Sequence, residues 1–197
     1  MNIGIALMAK APLPGLAKTR LAPRLGAAGA AALAERLLDH AVAQAAAAAP
    51  GAVTLWTAPD DQHPAFLRQQ ARHGVALRVQ PAGDLGVRML AVFTAAAPLL
   101  LMGTDAPALD AAMLRAAAAA LQDHDAVFVP ALDGGYALIG LQRQQPLLFT
   151  DMPWSTPQVM ALTRQRLAAA GLRHAELPPV PDIDEPADLV HLPPGWA

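Results

Sequence analysis

The 197-residue sequence has no cysteine, one tyrosine, two lysines and few aromatic side chains of any kind (4%). Without cysteine, disulfides, thiolate metal ligands and a cysteine nucleophile are excluded. A net charge of −2 gives no broad basic field, so neither nucleic acid nor an anionic membrane surface is an expected partner. Proline or glycine interrupts the long uncharged runs, so no stretch offers the ~20 apolar residues of a membrane span. We expect a cytoplasmic protein.

What the sequence has in abundance is apolar side chains, at 54% of residues, which is too many for a disordered chain. Apolar blocks rich in Val, Ile and Leu alternate with helix-length segments, the pattern of strands joined by crossover helices. This pattern predicts a single α/β domain, a Rossmann-like three-layer sandwich with a mostly parallel sheet. We assign residues 1–190 to the domain and residues 191–197 to a Pro-rich tail, either a surface strap or a fraying end.

The same pattern predicts the individual elements. Predicted strands cover residues 3–8, 52–57, 75–80, 99–102, 126–129 and 136–141, with a terminal strand that ends at 177. Predicted helices cover residues 27–49, 64–73, 84–97, 110–121 and 156–170. In a sheet of this kind, ligands bind beyond the carboxyl ends of the strands, so the functional residues should cluster there.

A loop that holds both lysines of the chain follows the first predicted strand. Two prolines and a glycine stiffen it, and Lys10, Lys18, Arg20 and Arg24 could surround a phosphate chain. It matches neither the Walker pattern nor Gly-x-Gly-x-x-Gly. The alternative is a solvated loop with incidental charge.

Carboxylates recur at two further places. Asp105 comes just after the apolar strand 99–102, at the position of a carboxylate that shares Mg²⁺ with substrate phosphates, although it could instead organise the turn before Pro107. Asp182 and Asp184 point the same way if their segment is extended, so one could supply a second ligand. The alternative is that Asp184 caps a helix.

Two glycine-rich or aromatic segments are candidates for the acceptor side. Gly134 and Gly135 could let a ligand lie on the backbone beside Asp133 and Tyr136, or they could simply form a tight turn. Trp154 could stack on a base or a sugar, whereas the Ser and Thr that follow it could cap a helix.

Together these segments resemble the GT-A-type superfamily of nucleotide-diphospho-sugar transferases, and within it a branch of small bacterial glycosyltransferases linked to arsenosugar biosynthesis and selenium metabolism. The shared motifs are Lys-Thr-Arg-Leu at 18–21, Gly-Asp-Leu-Gly at 83–86, Gly-Thr-Asp-x-Pro at 103–107, Asp-Gly-Gly-Tyr-x-Leu-Ile-Gly at 133–140, Trp-Ser-Thr at 154–156 and Asp-x-Asp-x-Pro-x-Asp-Leu at 182–189. Two positions depart from the pattern: Glu185 replaces a threonine, and Val87 replaces an acid.

The resemblance implies a GT-A fold, a Mg²⁺ or Mn²⁺ cofactor, and catalytic roles for Lys18, Asp105 and Asp133. Asp105 would hold the metal together with Asp184 or, as the second choice, Asp182. The residues assigned to the nucleotide and its phosphates are Lys10, Pro14, Gly15, Lys18, Thr19, Arg20, Gly103 and Thr104. The residues assigned to the acceptor are Asp133, Gly134, Gly135, Tyr136 and Trp154.

Three functions stay open at this point. The first, which we rank first, is glycosyl transfer from a nucleotide-sugar to a small-molecule acceptor. The second is nucleotidyl transfer from a nucleoside triphosphate, because the lysine-bearing loop resembles that of phospholactate and molybdenum-cofactor guanylyltransferases, and four cations suit a triphosphate. The third is a nucleotide-binding regulator without turnover.

Overall fold

The computed structural model describes residues 3–49 and 51–196, which form an α/β sandwich. The strands are β1 (Gly4–Lys10), β2 (Val53–Ala58), β3 (Ala76–Val79), β4 (Leu99–Met102), β5 (Ala126–Pro130), β6 (Tyr136–Leu141) and β7 (His174–Glu176). The α-helices are α1 (Ala22–Ala48), α2 (Pro64–His73), α3 (Leu85–Ala95), α4 (Ala111–Asp123) and α5 (Val159–Ala169). None of the helices in these two ranges is both long and apolar enough to cross a bilayer.

The seven strands form one sheet in the order β3-β2-β1-β4-β6-β5-β7. Strand β6 runs antiparallel to both of its neighbours, β4 and β5, and the other pairings are parallel. The predicted fold, an α/β sandwich with a mostly parallel sheet, is therefore confirmed. The insertion of β6 between β4 and β5 was not predicted.

Helices cover both faces of the sheet, and each face has its own apolar core. Leu38 of α1, Phe66 of α2 and Leu114 of α4 pack on one face. Met89 of α3 and Met160 of α5 pack on the other. The central strands contribute alternate side chains to the two cores, and this explains why they are apolar at nearly every position.

A third, smaller cluster fixes the C-terminal chain beside the N-terminal loop. Leu192 and Trp196 pack against the cluster that contains Leu21 and Ile183. The Arg36 guanidinium lies 4.6 Å from the Trp196 ring centroid. As far as residue 196, the C-terminal segment is therefore a packed strap on helix α1.

The largest difference from the predicted elements is at the start of α1. The helix begins at Ala22, five residues before the predicted start, but Gly26 interrupts it with φ 72° and ψ 164°. The first turn is thus a separate helical turn next to Leu21, which is fully buried. This turn continues the lysine-bearing loop and holds it against the body of the protein.

Candidate active site

A cleft of about 680 Å³ opens at the carboxyl edge of the sheet. Its two walls rest on different apolar clusters. The first wall consists of residues 16–20 and 182–184, and it rests on the cluster around Leu21 and Ile183. The second wall consists of residues 83–89 and 154–156, and it rests on the core beneath α3. Gly103, Thr104 and Asp105 lie at the end of β4 and also line the cleft.

Lys18 is the central cation of the first wall. Its ammonium lies 2.7 Å from Oδ1 of Asp105 and 3.7 Å from Oδ1 of Asp184, and it donates a hydrogen bond of 2.5 Å to the carbonyl of Ile183. The Lys18 side chain is 7% exposed, whereas that of Asp105 is 49% exposed. One amino group thus connects the N-terminal loop, the loop after β4 and the C-terminal segment.

The backbone of Lys18 is also held in an unusual conformation. Its φ of 48° and ψ of 45° lie in the left-handed region, which costs a non-glycine residue about 1–3 kcal/mol. Ser155, on the second wall, has φ 62°. Residues held in such conformations occur preferentially at ligand sites. The strain at these two positions therefore agrees with a functional cleft.

Arg20 and Asp184 extend the charge network of the first wall. Nη1 of Arg20 lies 2.7 Å from Oδ2 of Asp184 and 3.8 Å from Oε1 of Glu185. The backbone N–H of Ile183 donates to the carbonyl of Asp105 at 2.9 Å. Side-chain and backbone contacts together hold the C-terminal segment at the loop after β4.

Asp182 has a different environment from Asp184. Burial is the main cause that raises the pKa of its carboxyl, and the charges of Asp133, Asp188 and Asp105 raise it further. Among the described residues no cation lies within ion-pair distance of Asp182, whereas Asp184 is close to both Lys18 and Arg20. Asp182 is therefore the carboxylate of this segment that has no counter-charge.

These carboxylates do not form a metal site made of protein ligands alone, but they fit a site that a bound phosphate completes. Within residues 3–49 and 51–196, no group of three or more His, Cys, Asp or Glu side chains could hold an ion. Asp105 and Asp182 are, however, close enough for the charge of one to shift the pKa of the other. Two carboxylates suit Mg²⁺ or Mn²⁺ when phosphate oxygens and water complete the coordination. The donor set therefore fits a metal shared with a phosphorylated substrate.

The two adjacent glycines between β5 and β6 have different surroundings. A Cβ on Gly134 would lie 2.6 Å from Cα of Pro157, and the N–H of Met160 donates to the Gly134 carbonyl at 2.9 Å. Gly134 therefore packs against another loop and does not line the cleft. This position does not agree with the predicted contact between Gly134 and the acceptor. Gly135 does line the cleft, and its N–H donates to Oδ1 of Asp133 at 2.8 Å.

Gly86 explains part of the Gly-Asp-Leu-Gly motif. A Cβ there would lie 2.5 Å from the carbonyl oxygen of Phe149 and 2.9 Å from Nε1 of Trp154. The Trp154 indole thus lies directly on the backbone of α3. Its Nε1 is buried, and no acceptor for it was found among the described residues. The glycine is required for close packing of the second wall.

Tyr136 lies next to Met89 of the second wall and lines the cleft. Its hydroxyl lies 3.9 Å from Sδ of Met89, and its ring packs edge to face on Phe128. Burial raises the pKa of the phenol above its usual value, so the group stays neutral at physiological pH. Tyr136 can therefore act as a hydrogen-bond donor but not as a base.

Most of the predicted site residues line this one cleft. Those that do are Lys10, Lys18, Thr19, Arg20, Gly103, Thr104, Asp105, Asp133, Gly135, Tyr136, Trp154, Asp182 and Asp184. Pro14, Gly15, Arg24 and Gly134 are not among the lining residues. Pro14 and Gly15 are exposed on the outer part of the loop, so their contribution there is to its shape.

Sequence reasoning missed two contributions to the cleft. Gln80 lines it, and its Nε2 donates to the carbonyls of Trp56 at 2.8 Å and Ala9 at 3.2 Å, which fixes the ends of β1 and β2. A polar residue between a strand and Pro81 was the available signal. The Ile183 carbonyl that accepts from Lys18 belongs to the backbone, and no sequence pattern indicates it.

The strand order and the cleft at the strand ends define an α/β fold that nucleotide-diphospho-sugar transferases and nucleotidyltransferases share. The chain belongs to the family of uncharacterized proteins conserved in bacteria, DUF2064, whose model matches residues 41–156. Among proteins with curated functions, no significant match was found.

Three solved structures illustrate the likeness. A provisionally named nucleotide-diphospho-sugar transferase from Desulfovibrio desulfuricans G20 has a TM-score of 0.86 and 29% identity, over 95% of this chain and 84% of the other. A cytidylyltransferase from Leptospira borgpetersenii has a TM-score of 0.61 and 15% identity, over 96% and 84%. A Mycobacterium tuberculosis H37Rv protein in complex with manganese has a TM-score of 0.58 and 18% identity, over 96% of each chain. The last two show the fold alone.

Proposed function

We propose that this protein is a metal-dependent transferase that uses a nucleotide-activated donor, and that the donor is a nucleotide-diphospho-sugar whose glycosyl group passes to a small-molecule acceptor. The observation that carries the proposal is the contact between Lys18 and Asp105 (2.7 Å), in a cleft where Lys18 connects three distant segments of the chain. A cation beside a half-exposed carboxylate at the end of a central strand suits the binding of a diphosphate with its metal.

In this proposal the first wall binds the donor phosphates. Lys18 and Arg20 donate to phosphate oxygens, and the exposed Lys10 at the end of β1 adds a third cation. A phosphate group can compete with Asp184 for Arg20, because that ion pair is largely exposed and weak. Thr19, Gly103 and Thr104 would line the path of the diphosphate.

We assign the metal to Asp105 and Asp182 in preference to Asp184. Mg²⁺ or Mn²⁺ in that position would neutralise charge on the departing nucleoside diphosphate. Asp182 is the better second ligand because two cations already neutralise Asp184, while Asp182 lies among other carboxylates. The manganese complex of a protein with the same fold agrees with this type of ion.

The second wall and the turn after β5 would hold the acceptor. Asp133 is exposed at the cleft, so it can accept a proton from an acceptor hydroxyl. The neutral Tyr136 hydroxyl and the face of Trp154 offer a hydrogen bond and a stacking surface for a polar, cyclic group. Gly135 leaves room for the acceptor beside the backbone.

Two observations favour glycosyl over nucleotidyl transfer. The relative with 29% identity is provisionally named for transfer from a nucleotide-diphospho-sugar. In addition, Arg24 lies outside the cleft, so the lysine-bearing loop supplies three cations there and not four. The charge of that loop therefore no longer favours a triphosphate, and a fourth cation of the cleft, Arg88, lies on the second wall.

The test is a binding and turnover panel with the full chain. Nucleotide-sugars and nucleoside triphosphates are added with Mg²⁺ or Mn²⁺, and the thermal shift, released nucleoside diphosphate and released pyrophosphate are recorded. We expect stabilisation by a nucleotide-sugar that depends on the metal. Release of pyrophosphate from a nucleoside triphosphate would instead establish nucleotidyl transfer. Nucleotide binding without release of either product, whichever acceptors are added, would support a regulator.

Asp105→Asn and Asp123→Asn form the matched pair for this panel. Asp123 is exposed at the end of α4 and outside the cleft, so its variant should behave like the wild type. Asp105→Asn should lose at least about tenfold in metal-dependent donor affinity, since one of two protein ligands is removed. An unchanged metal response in Asp105→Asn would refute the assignment.

A further inference from the structure

We infer that Arg88 forms an anion subsite on the second wall, and that the acceptor of this protein therefore carries a carboxylate or a phosphate group. The inference deepens the proposed function and rests on it for the assignment of the second wall to the acceptor. Its starting point is the Arg88 guanidinium, which is not one of the cations assigned to the donor phosphates.

The Arg88 guanidinium is oriented but not neutralised. Its Nε donates to the carbonyl of Gly83 at 2.9 Å, and Arg88 is half-buried among the residues that line the cleft. Among the described residues, no carboxylate lies within 4.0 Å of it, in contrast to Lys18 and Arg20. The terminal nitrogens of a guanidinium held at Nε are a ready pair of donors for a carboxylate or phosphate.

Asp84, the residue just before α3, does not supply the missing charge. Oδ1 of Asp84 accepts from the N–H of Val87 at 2.9 Å, so this carboxylate caps α3. A half-buried cation without a counter-ion is unfavourable, and an incoming anion relieves that cost. The same wall carries the aromatic ring of Trp154 and the apolar Met89, which can bind the remainder of a small organic molecule.

The position of Arg88 distinguishes this anion from the donor phosphates. Lys18 and Arg20 belong to the wall that rests on the cluster around Ile183, whereas Arg88 belongs to the wall that rests on the core beneath α3. A diphosphate bound by Lys18 with a metal at Asp105 lies at the first wall. The second anion then belongs to the other substrate.

The experiment compares three probes that share one carbon skeleton: glycerol, glycerate and glycerol 3-phosphate. Their binding to the full-length chain is measured by titration NMR with Mg²⁺ and whichever of ADP, CDP, GDP or UDP binds most tightly, so that the first wall is occupied. We expect at least one of the two anions to bind ~10-fold or more tightly than glycerol, as a charge-assisted bidentate contact implies. Tighter binding of glycerol 3-phosphate would identify a phosphorylated acceptor, and tighter binding of glycerate would identify a carboxylate acceptor.

Arg88→Ala should abolish this preference, and Arg88→Lys should retain part of it for phosphate and little for carboxylate. Arg143→Ala, which removes an exposed arginine outside the cleft, is the matched control and should behave like the wild type. A preference that is absent from the wild type, or that survives in Arg88→Ala, overturns the inference.

The two proposals fail in different ways. If Arg88→Ala loses tenfold in nucleoside-diphosphate affinity, Arg88 belongs to the donor site and the acceptor inference is wrong, while the proposed function stands. If no nucleotide binds the wild type, the proposed function fails. The anion titration is then run without nucleotide, where loss of anion binding in Arg20→Ala but not in Arg88→Ala would also overturn the subsite.

Discussion

The two walls of the cleft are held together by different forces. On the first wall, Lys18, Arg20 and Asp184 form ion pairs between segments more than 160 residues apart in the chain. On the second wall, Gly86 allows the Phe149 carbonyl and the Trp154 ring to approach within distances that a side chain would forbid, and Gly134 does the same for Pro157, just behind that wall. Ion pairs can exchange partners when a charged ligand arrives, whereas close backbone packing cannot.

This difference indicates which wall responds to substrates. The charges of the first wall are the groups that a diphosphate and its metal would engage, so binding must redistribute the contacts of Lys18 and Arg20. The second wall supplies a fixed surface with the Arg88 guanidinium, which has no carboxylate partner among the described residues. We therefore expect mutations to affect ligand binding most on the first wall, and stability most at the close backbone contacts in and behind the second wall.

The largest effect on stability should come from Gly134→Ala. The new methyl group would lie 2.6 Å from Cα of Pro157, and the residue would keep φ near 93°. Left-handed strain and overpacking each cost about 1–3 kcal/mol, so we expect a loss of about 3 kcal/mol in the free energy of unfolding. Denaturation with urea measures it.

Gly171→Ala separates the two causes. Gly171 also has a positive φ, 66°, but a Cβ there would meet nothing within 4 Å. Its variant should lose about 1–2 kcal/mol, the conformational part alone. Equal losses in the two variants would show that the contact between Gly134 and Pro157 contributes nothing.

The sequence predicts the scaffold better than it predicts these walls. Short apolar runs such as 99–102 are typical of interior strands, and their alternation with helix-length segments was enough to predict the mostly parallel sheet. The placement of β6 between β4 and β5 depends on pairings between strands distant in sequence, and local patterns do not encode them. The early start of α1 was missed because Gly26 interrupts the helical pattern.

For the site, the motifs predicted which segments meet but not what each residue does there. Lys18 and Asp105 were expected at one cleft, and the structure brings their side chains into contact. The glycine pair at 134–135 was ambiguous in the sequence, because a ligand and a packed loop both require the absence of a side chain. Only the position of Pro157 shows that Gly134 serves packing.

An intermediate effect should follow from breaking the first wall at Lys18. Lys18→Met keeps the aliphatic stem but removes the donor to the Ile183 carbonyl and the partner of Asp105. Since Lys18 is almost buried and Asp105 is half-exposed, we expect a loss of about 1–2 kcal/mol in stability. A double-mutant cycle with Asp105→Asn should give a coupling of about 1 kcal/mol that changes little with salt. A coupling of zero would mean that the pair does not stabilise the wall.

The smallest effect should come from an ion pair far from the cleft, between Arg164 of α5 and Glu176 of β7. The guanidinium donates to both carboxylate oxygens, at 2.8 and 2.7 Å, and these hydrogen bonds are the main cause that lowers the pKa of Glu176. The pair is substantially exposed, so Glu176→Gln should lose ~0.2–1 kcal/mol at pH 7, and added salt should reduce that loss.

The pH dependence of this loss has a definite sign. Because the folded pKa of Glu176 lies below its ordinary value of 4.5, the ionised carboxylate contributes fully above that value, and its contribution disappears as the pH falls through the folded pKa. Wild type and Glu176→Gln should therefore converge in urea denaturation at low pH and differ by a constant amount above pH ~5. A stability difference between wild type and Glu176→Gln that grows toward acid pH would contradict this assignment. If salt weakens the Arg164–Glu176 pair as little as it weakens the Lys18–Asp105 pair, the exposed pair does not differ from the pair in the cleft.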